Sequence, residues 1–213
     1  MPFLSRSKGG FREGTGTTAQ FDTPHGVAVD SSGKLYVADA NNHRIRRITP
    51  QDDGSVEVST LAGSSGGRRE GTGTAARFVL PTGVAVDKDG NVYVADANNF
   101  RIRKITPARV VSTLAGDGTA AQFDGPTGVA VDSSGNLYVA DTDNNRIRKI
   151  EITKDADEVP PDDNNDDTIT VTTLAGDGST AQFNNPTGVA VDSSGNLYVA
   201  DSTNHRIRKI EYK

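Results

Sequence analysis

The chain reads as an all-β fold of radially arranged sheets, and two observations carry that expectation. Pro126–Glu151 returns almost letter for letter at Pro186–Glu211, changed only at Thr142/Ser202, Asp143/Thr203 and Asn145/His205, and looser copies begin at Pro24 and Pro81. Each copy consists of short apolar runs punctuated by Gly, Asn and Asp. A spacing of 45 to 60 residues between copies, filled by strands, marks a stacked or radial array.

The elements of the third copy follow in order. Thr127–Asp132 is expected as a strand, and Ser133–Asn136 as a tight turn in which Gly135 supplies the positive φ. Leu137–Asp141 is the second strand, Thr142–Asn145 the second turn, and Arg146–Ile150 the third strand. Val171–Gly176 supplies a fourth. Period-2 alternation sets Val129 and Val131 on one face and Ala130 on the other, while Leu137 and Val139 oppose Tyr138 and Ala140. Inner strands apolar on both faces must lie between neighbouring sheets. Four-stranded sheets packed face to face around an axis make a β-propeller.

Fourth strands are read at Val58–Ala62, Val110–Ala115 and Thr170–Ala175, three in all, which leaves one blade short. Gly9–Phe21 matches Gly66–Phe78 at a constant offset of 57 residues. Pro2–Ser5 is therefore expected to complete the last sheet and remove its open edge. The organisation predicted is a single domain, 1–213, with repeats starting near 24, 81, 126 and 186. Residues 1–23 would supply the closing strand and first rim loop, and 154–168 an acidic insert loop.

Composition bounds the function. The chain has 213 residues, no cysteine and a formal charge of −5. Disulfides and thiolate metal sites are excluded. Seven acids and no base lie in Asp155–Asp167, leaving 23 basic against 21 acidic residues elsewhere. The body is near neutral and lacks a polyanion-binding footprint. No run approaches the roughly 18 apolar residues of a membrane span. Met1–Lys8 carries no apolar signal core. Asn185-Pro-Thr is spoiled as a glycosylation acceptor by its proline, so the compartment stays open.

The pattern Pro-x-Gly-Val-Ala-Val-Asp, Gly-Asn-Leu-Tyr-Val-Ala-Asp and Asn-x-Arg-Ile-Arg-Lys-Ile resembles NHL repeats in all four copies. The resemblance implies an NHL β-propeller, a fold used for protein binding, RNA binding and catalysis alike. NHL propellers more usually have about six blades. Four copies leave two architectures, a four-bladed ring or half of an eight-bladed dimeric ring.

Candidate chemistry should appear as departures from the repeat. His25 replaces the threonine of Thr82, Thr127 and Thr187; Phe100 stands where His43, Asn145 and His205 do; Lys88-Asp89 and Val79-Leu80 are also unlike their counterparts. None assembles a nucleophile, base and orienting group, so no catalytic residue, metal ligand or cofactor is expected. The candidate ligand-binding rim comprises His43, Arg44, Phe100, Arg101, Asn145, Arg146, His205 and Arg206. The competing structural reading has Asn42, Asn99, Asn144 and Asn204 shaping turns, with Arg44, Arg101, Arg146 and Arg206 pairing to Asp39, Asp96, Asp141 and Asp201. Third strands carry twelve positive charges in total, spread evenly round the ring, which suits solvated or acid-paired side chains better than an RNA face. Asp30, Asp87, Asp132 and Asp192 precede turns that they would cap. The insert lacks the spacing of a calcium loop.

The expected role is a non-catalytic scaffold or interaction module, binding a protein, peptide or glycan through the rim. The alternatives are an enzyme (a metal-assisted hydrolase or lyase) using the central channel, and an RNA-binding propeller. A homodimer completing the ring is the further expected partner; membrane is not expected and nucleic acid is disfavoured.

Overall fold

Each repeat folds as its alternation requires. A computed structural model describes residues 9–119, 122–153, 167–179 and 182–211. The first blade comprises β1 (Gly14–Thr15), β2 (Pro24–Val29), β3 (Leu35–Asp39), β4 (Arg44–Pro50) and β5 (Val56–Ala62). The second comprises β6 (Gly71–Thr72), β7 (Pro81–Val86), β8 (Val92–Asp96), β9 (Arg101–Ile105) and β10 (Val110–Ala115). The third holds β11 (Pro126–Val131), β12 (Leu137–Asp141), β13 (Arg146–Thr153) and β14 (Thr168–Ala175). In the fourth, β15 (Pro186–Val191), β16 (Leu197–Asp201) and β17 (Arg206–Ile210) are described. All pairings within the blades are antiparallel.

The chain thus forms four consecutive β-propeller blades, one repeat per blade. Strands β2, β7, β11 and β15 line the axis. A register shift after the leading proline of each accommodates the adjoining glycine and bends the strand toward the axis. Three apolar cores lie between consecutive blades. Tyr36, Ala38 and Ile45 meet Val84, Val92, Val94 and Ile105. Tyr93, Ala95 and Ile102 meet Val129, Leu137, Val139 and Ile150. Tyr138, Ala140 and Ile147 meet Leu197 and Val199.

Three details depart from expectation. Blades one and two carry a fifth, two-residue strand: Gly14 pairs Val58 and Gly71 pairs Val111. The Gly9–Phe21 and Gly66–Phe78 segments therefore cover the outer edges of these sheets, which blunts them against stray pairing. Glu13 and Glu70 fasten the cover, accepting the Thr60 and Thr113 amides at 2.9 and 2.8 Å. Thr168 belongs to β14 rather than to the acidic loop. One-turn 3-10 helices at Ala40–Asn42, Ala97–Asn99 and Ser202–Asn204 replace simple turns. The strand expected at Pro2–Ser5 and most of the acidic insert lie outside the described residues.

The hairpin turns are capped as read from the sequence. Asp132 Oδ1 accepts the Ser134 and Asn136 amides, and Oδ2 accepts the Tyr138 hydroxyl at 3.0 Å. Gly135, at φ +90°, closes the turn where a side chain would be strained. Burial and the Asp30 carboxylate push the equivalent Tyr36 phenol up to about 12.

Candidate functional site on the loop rim

The rim is built from the last residue of each second strand. Asp39, Asp96, Asp141 and Asp201 are fully buried. One carboxylate oxygen of each accepts a backbone amide from the incoming connection: Asp22, Val79, Asp124 and Asn184, at 2.7 to 2.8 Å. In return, Asn41, Asn98, Asp143 and Thr203 donate their amides to the carbonyls of those same four residues. The expected convergence of both loop sets on one rim is therefore observed.

The arginine expected to neutralise these aspartates is the wrong one of each pair. Asp39 lies opposite Arg44 in the ladder, yet its ion pair is with Arg46 at 2.9 Å. Arg103–Asp96, Arg148–Asp141 and Arg208–Asp201 repeat it at 3.1, 3.1 and 2.6 Å. Residues two apart share a side of the strand, so both arginines flank the aspartate. The second reaches diagonally into the buried cluster, while in the first blade Arg44 is taken up by Phe11. Arg46 and Arg103 are fully buried, not solvated. Both also donate to carbonyls, Arg46 to those of Gln20 and Arg12 at 3.0 Å, while the buried Arg46 Nε has no partner among the described residues. The guanidiniums also stand over phenylalanine rings: Phe21, Phe78, Phe123 and Phe183, at 5.0 to 5.5 Å from the centroids. Such stacking suits arginine and not lysine.

The asparagines complete the cluster through a different partner than expected. Asn42 and Asn99 donate to Asp39 and Asp96 at 2.9 Å, and to the Gly10 and Gly67 carbonyls. Asn144 and Asn204 donate to Asp141 and Asp201. Burial raises the Asp96 and Asp141 carboxyls above their usual range. At Asp201 burial also pulls upward but is outweighed by bonds from Asn184, Asn204 and Arg208, leaving it lowered.

The eight candidate rim residues are brought to one rim, but most serve the fold. His43, Phe100, Asn145 and His205 take left-handed backbone, φ between 52° and 56°, where asparagine is the least strained. His43 Nδ1 accepts the Leu80 amide at 3.2 Å and Asn145 Oδ1 the Asn185 amide at 2.9 Å, so each buttresses the following blade. Arg44 stacks on Phe11 at 3.9 Å. Arg101 and Arg146 donate to the Asp117 and Asp177 carbonyls at 2.9 and 3.3 Å. Arg206 is exposed.

The residues that do face the axis opening are the first of each turn. Asn41, Asn98 and Asp143, with His25, line a mouth of about 370 Å³ floored by Leu80, Thr82 and Thr127. Burial and the adjacent Asp124 raise the Asp143 carboxyl. These positions were within the turn tripeptides noted in the sequence; their variation between blades, Asn, Asn, Asp and Thr, is the signal that separates them from the invariant asparagine beside them. Below the mouth, the axial cavity is lined by glycine, threonine and valine of the inner strands, with His25 its single titratable lining residue. Among the described residues no three His, Cys, Asp or Glu side chains cluster as metal ligands, and no helix is long and apolar enough to cross a membrane.

Relatives share the repeat and not the length. NHL repeat-containing protein 2 of Gallus gallus is 40% identical over 95 residues, covering 44% of this chain and 12% of that protein. SUPPRESSOR OF QUENCHING 1 of Arabidopsis thaliana, a chloroplastic protein, is 34% identical over 107 residues, 49% of this chain and 10% of the other. The matched stretches thus span about a tenth of the length of these two relatives. Virginiamycin B lyase from Staphylococcus aureus superposes on 89% of this chain and 56% of its own, with TM-score 0.55 and 16% identity; that likeness is one of fold. The NHL repeat itself matches at residues 21–48, 78–105, 123–150 and 183–210, each match running from the rim phenylalanine or its neighbour through the third strand and so enclosing the buried Asp–Arg pair. With more than half its residues inside these four matches, the chain belongs to the NHL repeat family.

Proposed function

We propose that this propeller is a non-catalytic interaction module that takes a polar segment of another protein, or a glycan, across the mouth of its loop rim. The observation that carries this reading is a division of labour. The polar groups repeated in every blade are consumed by the buried Asp–Asn–Arg clusters, whereas Asn41, Asn98, Asp143 and His25 stand outside those clusters and line the opening. The Asn41 NH2 donates to Asp22 and Thr23, with its carbonyl oxygen left toward the mouth. Two amides match the donors and acceptors of a peptide backbone or sugar hydroxyls, and Asp143 suits a cationic or hydroxyl group.

Selection from a random peptide library and a glycan array, followed by calorimetry, tests it. The N41A/N98A double variant and D143N should each weaken a selected ligand at least tenfold. Failure to enrich any ligand, or equal binding by the variants, sinks the reading.

The enzyme reading is supported by His25, unique to the first blade, at the head of the axial cavity. A lone imidazole still needs an orienting partner to act as a base, and none lines that cavity. RNA binding would show affinity falling steeply with salt; the Asp124–Asp143 carboxylates at the mouth oppose phosphate.

A further inference from the structure

Among the described residues, the far face of the fourth blade and the inner strand of the first lack a neighbouring blade, and they correspond to the two halves of an interface found three times between the blades. At each internal junction the preceding blade presents Tyr, Ala and Ile, and the following blade receives them with Val, Val or Leu, Val and Ile. The fourth blade carries the same set, Tyr198, Ala200 and Ile207, with no following blade against it among the described residues. Ile207 is 73% exposed, where Ile45, Ile102 and Ile147 are at 0%; Tyr198 is 39% exposed, where its counterparts are at 7% or less. The first blade carries the receiving set. Its Leu35, Val37 and Ile48 are the same residue types as Leu137, Val139 and Ile150 of the third blade. Ala19 and Phe21 already cover Val37 and Ile48, so the uncovered part of this face is its inner strand, with Val27 and Val29. Val27 at its inner edge is 61% exposed against 6% and 7% for Val84 and Val129.

Backbone contacts agree. A Cβ on Gly26, Gly83 or Gly128 would stand 2.3 to 2.5 Å from the carbonyl of Thr82, Thr127 or Thr187 in the next blade, whereas one on Gly188 meets only Ala200 of its own blade. Likewise Thr82 and Thr127 donate hydroxyls to the following blade's Thr127 and Thr187 carbonyls. Thr187 instead meets Ser202 within its own blade.

We infer that two copies of this chain join head to tail, the fourth blade of each against the first blade of the other, completing one eight-bladed ring. The occupant is a second copy because the exposed residues of the two faces repeat the pairing of the internal junctions and, among the described residues, do not touch within one chain. Each joint is heterologous, and two identical joints related by a two-fold axis leave no face uncovered. Contiguous apolar faces of this kind are seldom left bare on a monomer.

Light scattering on the whole chain at tens of micromolar should give twice the chain mass, falling toward one chain on dilution. Ile207→Asp and Val27→Asp place a charge in the joint from opposite sides, and each should give a single-chain mass. Both positions are exposed in the lone chain, so far-UV circular dichroism should not change. An equimolar mixture of the two variants should recover two-chain particles through the one joint that carries neither charge. A single-chain mass for the unmodified protein at every concentration overturns the inference, as does a mass above two chains. A dimer indifferent to both charges, or variants that fail to complement, places the contact elsewhere and overturns it too.

Discussion

At the residue scale, the buried ion pairs set the sharpest tests. Arg103 has no water to fall back on, so Arg103→Met strands the Asp96 carboxylate among apolar groups. Breaking such a pair costs about 3–5 kcal/mol, and urea unfolding should show a loss of that size. Arg208 is about one-third exposed in its side chain, so Arg208→Met should cost clearly less; equal losses would contradict the burial argument. Acid sensitivity belongs to the turn aspartates. Asp132 sits below its usual range because bonds from Asn136, Tyr138 and Ser134 outweigh its burial. A lowered folded value means the folded state binds fewer protons near pH 4 than the unfolded chain. The stabilisation is present above the ordinary carboxylate range and is lost as pH falls through the folded value. The stability gap between the unmodified protein and Asp132→Asn should therefore narrow from pH 5 downward. A gap constant with pH would remove the carboxylate from the account. Asp96 and Asp141, raised by burial, work in the opposite sense and oppose this loss.

At the scale of the element, the inner strands owe their close approach to one glycine each. Gly83→Ala puts a methyl 2.3 Å from the Thr127 carbonyl. Neither backbone can yield without opening the junction, so a loss of about 1–3 kcal/mol is expected. Gly188→Ala meets only Ala200 at 3.6 Å and should leave the isolated chain's stability unchanged within error. Thermal melts of the two variants in parallel, at concentrations that keep single chains, check this; equal destabilisation would show that blade four is packed like blade two. The two-residue strands β1 and β6 are the elements that a pattern search misses, because Gly-Thr-Gly has no apolar alternation. They form where an existing sheet edge offers unpaired groups.

For the whole molecule, stability is a sum over blades and the junctions between them. The two middle blades are packed on both sides and the end blades on one. Amide exchange should therefore be slowest in β8 and β12 and fastest in β2, β3, β16 and β17 when the chain is dilute. Raising the concentration should slow the end blades selectively and raise the melting temperature by mass action. Uniform protection across all four blades at every concentration would rule out bare ends. The axis cavity and the mouth above it belong to this scale too, since no single repeat contains them.

What the residue order determined by itself is the blade. Alternation, turn chemistry and fourfold recurrence are local properties, readable wherever apolar residues and Gly or Asp fall in line, and they located the strands to within a few residues. The shared rim was legible for the same reason, because strand ends must gather where the strands run side by side. Three things only the tertiary structure decided. It chose Arg46 over Arg44 for Asp39, since the two share a side of the strand and only the packing of the Arg12–Phe21 segment decides which guanidinium enters the buried cluster. It turned Asn41, Asn98 and Asp143 toward the axis and His43 and Asn145 toward the neighbouring blade. And it left Val27 and Ile207 in water although their repeats are buried, because a residue's burial depends on the blade that packs against it, and identical sequences at the end of a series lack that neighbour.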